Sequence, residues 1–211
     1  MNVQAATVQA VVYDIGNVLI AWQPERYYDS RIGVDARKRL FAEVDLHAMN
    51  EAIDAGALFR ETIYDWASRH PDWAVEIRWW YDHWIDMASP RNDHSIRLMR
   101  ALQARGVPVF ALTNFGIHSF AYALTQYDFL AEFDRAYVSG QMGVTKPDPQ
   151  IYAMVEGDCG VPPAGLLFVD DRAENIAAAT ARGWQGHVFD GADGWAARLV
   201  ATGLLTQEQA I

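Results

Sequence analysis

The chain has 211 residues, 51% of them apolar, which is enough for one domain of ordinary size plus an insert. Its formal charge of −10 repels nucleic-acid backbones and anionic membranes, and its densest basic run, Arg37, Lys38 and Arg39, is flanked by acids, so a small solute is the expected partner. The single cysteine, Cys159, excludes an intramolecular disulfide framework and a Cys-pair zinc site.

In chain order, residues 8–14 form a short apolar run rich in Val that ends at Asp14. It is too short for a helix and fits a strand buried on both faces. Roughly ninety residues then pass before the next comparable run, where a simple crossover unit needs about thirty. Helical patterns at 34–46, 47–55, 58–69 and 72–87 fill that gap, with Asp35 and Asp72 as caps or first-turn acids and Gly33, Gly56 and Pro71 as breaks. A four-helix insert is predicted, hinged near Trp22–Pro24 and Ser89–Asn92. Trp73, Ile77, Trp80 and Trp84 recur at helical spacing and read as a core stripe of the insert, the alternative being a substrate-facing or dimer-forming surface.

Beyond the insert, the runs Val107–Leu112, Ala136–Val138, Leu166–Val169 and Gly186–Phe189 alternate with helical stretches at 95–104, 117–128, 148–156 and 172–182. This βαβ rhythm predicts an α/β fold, a Rossmann-like parallel sheet with helices on both faces and an inserted α-helical domain. Ligands of such sheets bind outside the carboxyl ends of the strands. Four polar segments fall there: Asp14, then Thr113 with Asn114, then Lys146, then Asp170 with Asp171.

Their chemistry converges on an anion and a cation. Asp14, followed by the small residues Gly16 and Asn17, can project into the crevice and act as a nucleophile. Taken alone it could equally be a strand-end Asp satisfied by the next turn. The adjacent Asp170 and Asp171 diverge, so one enters the crevice while the other supports it, and Asp14 with Asp171 suits one Mg²⁺ ion. Thr113 and Asn114, before Gly116, place a hydroxyl and free amides at a helix start, where an anion binds. Lys146 is one of two lysines against fifteen arginines, and it precedes a rigid Pro that can fix its approach to the anion.

These segments resemble the haloacid dehalogenase superfamily, over residues 8–20 and 92–192. The resemblance implies an Asp14 nucleophile, Thr113 and Lys146 holding the phosphoryl group, and Mg²⁺ on Asp14, the Gly16 carbonyl and Asp171, with Asp170 behind. It also implies a catalytic core of 1–22 and 91–211 and a helical cap of 23–90. Most phosphatases of the superfamily carry a second Asp two residues after the nucleophile, where this chain has Gly16. The form DxGNV at 14–18 resembles a branch that includes sugar-1-phosphate phosphatases of the glucose-1-phosphate type.

The expected activity is therefore Mg²⁺-dependent hydrolysis of a small phosphorylated metabolite, a sugar phosphate foremost, through an aspartyl-phosphate intermediate. The alternatives are a 2-haloacid dehalogenase using the same Asp, or a non-catalytic phosphate-binding or interaction protein. His118, or a residue lowered by the cap, could replace the missing acid, and Arg26, Arg31, Trp22, Tyr27 and Asn50 stand near the expected entrance. Residues 1–10 lack the pattern of a leader, and no apolar run approaches the roughly 20 residues of a membrane span. A cytoplasmic monomer or homodimer, with no nucleic-acid or membrane partner, is the default expectation.

Overall fold

The computed structural model describes residues 7–211, so residues 1–6 of the expected core range and of the stretch read for a leader lie outside the described residues. Five strands form one parallel sheet: β1 (Ala10–Tyr13), β2 (Val109–Thr113), β3 (Arg135–Val138), β4 (Leu166–Asp170) and β5 (Gln185–Val188). Their order is β3-β2-β1-β4-β5. The chain first builds outward from β1 on one side and then crosses to the other, so β1 stands at the switch in strand order where a crevice opens. Val12 pairs with Phe110 on one side and Phe168 on the other, which aligns the ends of β1, β2 and β4.

Burial explains why β1 reads as a continuous apolar run. Val11 and Tyr13 face one core with Trp195 and Leu199, while Ala10 and Val12 face a second core with Tyr152, Val155 and Trp184. All four β1 residues are fully buried, as expected of a central strand covered on both faces.

Between β1 and β2 lie α1 (Pro24–Ile32), α2 (Val34–Val44), α3 (Leu46–Asp54), α4 (Phe59–Arg69), α5 (Ala74–Asp82), α6 (Trp84–Met87) and α7 (Asp93–Ala104). The four-helix expectation for the insert needs two corrections. A helix at Pro24–Ile32 was not expected; Pro24 supplies its first turn with a preset φ, and Gly33 at φ +80 separates it from α2. The 72–87 stretch is not one helix. It divides into a 3₁₀ turn at Pro71–Trp73, α5 and α6, with non-helical backbone at His83. The break turns Trp84 onto Trp22 and Phe115, whereas Ile77 and Trp80 stay in the core and the Trp73 indole donates to Glu43.

The remaining helices are α8 (Ile117–Gln126), α9 (Ser139–Met142), α10 (Pro149–Cys159), α11 (Ala173–Ala181) and α12 (Ala192–Ala201). The last of these was not foreseen; its buried Trp195 donates to the Tyr13 hydroxyl and so ties the C-terminal helix to the central strand.

Small residues let the insert meet the sheet. A Cβ on Gly116 would sit 2.5 Å from the Ile53 side chain, and one on Gly56 would sit 3.0 Å from the Gly140 carbonyl oxygen. One on Gly140 would stand 2.9 Å from both the Ile117 nitrogen and the Phe115 oxygen. Those neighbours are main chain and cannot rotate away. Gly140→Ala is therefore expected to destabilise the protein by about 1–3 kcal/mol, read as a lower urea midpoint.

Candidate active site

Asp14 follows β1 directly, and its main-chain N–H donates to the Val169 carbonyl at 2.9 Å, which sets the side chain between the ends of β1 and β4. Its Oδ1 accepts from the Ile15 N–H at 2.7 Å and faces the Lys146 Nζ at 3.0 Å. Among the described residues, no protein donor holds its Oδ2. Lys146 is 3% exposed and also donates to Asp170 Oδ2 at 2.6 Å. Burial works against its charge, but Asp14 and then Asp170 outweigh burial and raise its pKa.

Asp170 is fully buried at the end of β4. Its carboxylate accepts from Lys146, from the Arg172 N–H and from the Asn175 side chain. Asp171 turns the other way, lines the crevice and accepts from the Asn17 side chain at 2.9 Å. The division of the pair into one supporting and one crevice-facing acid is thus what the strand end produces.

Three carboxylates, Asp14, Asp170 and Asp171, present ligand atoms within 4.8 Å of one another, against the single charge of Lys146. Burial pushes the Asp14 carboxyl upward despite Lys146, and burial together with Asp170 pushes Asp171 upward despite Asn17. The cluster is short of positive charge, and its all-oxygen donor set fits a hard divalent cation such as Mg²⁺.

Thr113 closes β2, is buried and lines the same crevice. Asn114 does something other than expected. Its side-chain oxygen accepts from the Lys146 N–H at 2.8 Å and its amide donates to the Lys146 carbonyl at 2.9 Å, so it fixes the lysine main chain. The amides after it are not all free for an anion either: Phe115 N–H donates to Ser139 Oγ, and the Gly116 N–H faces the Asp54 carboxylate closely enough to oppose the rise in its pKa.

The loop after β1 turns at Asn17, which was expected there as a small residue but not as a hydrogen-bonding one. Asn17 has φ +55, a conformation that Asn tolerates better than most residues, and its oxygen accepts from the Trp22 N–H. Asn175, one turn into α11, could have been found as the residue that must face a buried strand-end Asp. Nothing local marked Asp54.

The crevice is a cavity of about 640 Å³, within the ~300–1,000 Å³ usual for small-molecule sites. Its floor is the cluster just described, and its far wall is Trp22 at the hinge with Trp84, His47, Asn50, Glu51 and Asp54 of the insert. Of the five residues expected near the entrance, Trp22 and Asn50 line it. Arg26 and Arg31 are exposed outside it, and Tyr27 is buried beneath Arg31. His118 points to solvent on α8 and does not line the crevice, which removes it as the replacement acid.

A family model for haloacid dehalogenase-like hydrolases matches residues 7–183. The chain belongs to that family of hydrolases. A sesquiterpene phosphatase, astK of Aspergillus oryzae, is 27% identical over 186 residues, covering 87% of this chain and 91% of its own. Flavin mononucleotide hydrolase 1 of Arabidopsis thaliana is 32% identical over 107 residues, which is 51% of this chain and 43% of that protein. Among solved structures, an Asp-to-Ala mutant of a family enzyme of Bacteroides thetaiotaomicron in complex with magnesium and inorganic phosphate superposes with a TM-score of 0.64 at 22% identity, covering 85% of this chain and 93% of that one. No helix among the described residues is long and apolar enough to cross a membrane.

Proposed function

We propose that the chain is a Mg²⁺-dependent phosphomonoesterase acting on a small phosphorylated metabolite, with residues 1–22 and 91–211 as the catalytic core and 23–90 as the cap. The observation that carries this reading is the state of Asp14: one carboxylate oxygen is fixed by Ile15 and Lys146, and the other has no protein partner on the crevice side. Such an oxygen is placed to attack phosphorus and form an aspartyl-phosphate. Thr113 and Lys146 hold the phosphoryl oxygens in this reading, and Asn114 acts by positioning Lys146.

Mg²⁺ would be held by Asp14, the Gly16 carbonyl and Asp171, with Asp170 supporting from behind. When bound, it would offset the negative charge gathering on the phosphoryl group. Lys146 shares that task and opposes the burial that raises the Asp14 carboxyl, and Asn17 keeps Asp171 turned to the crevice.

The far wall bears on the substrate. Trp22 and Trp84 offer flat apolar faces, while Asn50, Glu51 and the paired Glu25 and His47, 3.2 Å apart, offer hydrogen-bonding groups. Aromatic faces beside polar groups suit the ring of a sugar phosphate, and the DxGNV segment supports the same class. The relatives named above make FMN and a sesquiterpene phosphate the natural competitors in the panel.

Phosphate release from p-nitrophenyl phosphate, sugar phosphates, FMN and farnesyl phosphate, with and without Mg²⁺, tests the reading. Metal-dependent release with a sugar phosphate preferred is the expected result. Gly16 also suits a dehalogenase, but Asp170 and Asp171 do not. Chloride release from 2-chloropropionate without metal, and no phosphate release, would replace the reading.

A further inference from the structure

Gly16 leaves a vacancy in the chemistry. Hydrolysis of an alkyl phosphate needs a proton on the departing oxygen, and no acid of the core is free to supply it, since the Lys146 ammonium is engaged by Asp14 and Asp170. Asp14 and Asp171 are the acids that would hold Mg²⁺ in this reading, Asp170 is closed off behind Lys146, and His118 lies outside the crevice. A Cβ on Gly16 would meet nothing within 4 Å, so the position that could hold an acid opens onto free space.

Of the three insert carboxyls that line the crevice, Glu25 faces His47 at 3.2 Å and Glu51 is exposed, which leaves Asp54 as the one held in place. Asp54, the last residue of α3, lines the crevice together with Asp14, Gly16 and Lys146. It is held from both sides of the seam. Ser139 Oγ donates to the Asp54 carbonyl at 2.6 Å from the core side, and Asn50 Nδ2 donates to Asp54 Oδ2 at 2.8 Å from the insert side. The seam glycines Gly56, Gly116 and Gly140 permit this approach, because a side chain on Gly116 would collide with Ile53, next to Asp54. The docking of α3 therefore sets this carboxyl in the crevice in a fixed orientation.

We propose that Asp54 is the proton donor to the leaving oxygen, and then the base for water, in place of the acid that Gly16 lacks. This rests on the phosphatase reading. In the first step an Asp14 oxygen bonds to phosphorus and the ester P–O bond breaks. Its electron pair stays on the leaving oxygen, which takes the Asp54 proton. In the second step water attacks phosphorus and gives a proton to the Asp54 carboxylate as the P–O bond to Asp14 breaks. Inorganic phosphate leaves, and both side chains return to their starting states.

The electrostatics agree with the geometry. Burial first, against the Gly116 hydrogen bond, and then the charges of Asp14 and Glu51, opposed by Lys146, push Asp54 up to about 7. At that value it is half protonated near neutrality, as a group that gives and retrieves a proton should be.

The test compares p-nitrophenyl, phenyl and benzyl phosphates with Mg²⁺, three esters of similar size whose leaving oxygens need a proton to increasing degrees. In Asp54→Asn, kcat/KM for benzyl phosphate is expected to fall about 10²–10⁴-fold and that for p-nitrophenyl phosphate less than about tenfold. In the wild type, kcat/KM for benzyl phosphate should fall as pH rises through about 7, with no matching limb for p-nitrophenyl phosphate. Equal losses on all three esters would make Asp54 a structural clamp and overturn the proposal, as would identical wild-type pH profiles for the two esters. A wild type that releases phosphate from none of them overturns the phosphatase reading itself, and the proton-donor assignment with it.

Discussion

Asp14→Asn is expected to lower phosphate release below about 10⁻⁴ of the wild-type rate with every ester, while the fold survives. The substitution keeps the side-chain shape but removes the oxygen that attacks phosphorus, and no neighbouring acid is placed to take over. Asp170 is enclosed by Lys146, Arg172 and Asn175, and Asp171 is drawn toward Asn17. Folding should be preserved because Lys146 retains Asp170 at 2.6 Å. Without metal the variant should even melt no lower than the wild type at neutral pH. Burial raises the Asp14 pKa above its unfolded value, and a group raised in this way weakens the fold as pH climbs through that pKa. Activity equal to wild type would end the nucleophile assignment; a collapsed melting curve would show that Asp14 is needed for structure instead.

Lys146→Met is expected to lose activity and stability together. Lys146 is the only cation that contacts both Asp14 and Asp170 among the described residues, and all three groups are buried. Breaking a buried ion pair by removing one partner typically costs about 3–5 kcal/mol, because the remaining charge has neither water nor a counterion. The deficit should depend on pH with a definite sign. Without Lys146, Asp14 rises further above its unfolded pKa, so the fold retains its stability at low pH and loses it as pH increases. The gap in melting temperature between variant and wild type should therefore be wider at about pH 8 than at about pH 5. A gap that is equal at both would show that the loss comes from packing against Phe168, whose ring lies 5.4 Å from the Nζ, rather than from charge.

The sheet and the residues at its strand ends were legible because their cause is local. A central parallel strand must be apolar on both faces, so the run ending at Asp14 announces itself, and a polar residue at its carboxyl end has only the crevice to enter. The same logic exposed Thr113, Asp170 and Asp171, whereas Lys146, in the loop between α9 and α10, stood out by its rarity and the Pro after it. The helix at Pro24–Ile32 escaped because its mean polarity hides the periodicity, and the break at His83 escaped because the sequence through Trp84 keeps helical spacing. That break is set by what Trp84 packs against, Trp22 and Phe115, which are distant in the chain.

By itself, the sequence determined the parallel sheet, the presence of a helical insert and the acids of the strand ends, all of which follow from burial patterns over a few residues. Tertiary structure alone decided that Asn114 serves Lys146, that His118 faces solvent and that Asp54 enters the crevice. Asp54 and Asp14 are forty residues apart and belong to different layers. Their meeting depends on how closely two main chains can approach across Gly56, Gly116 and Gly140, and no local pattern of residues encodes that distance.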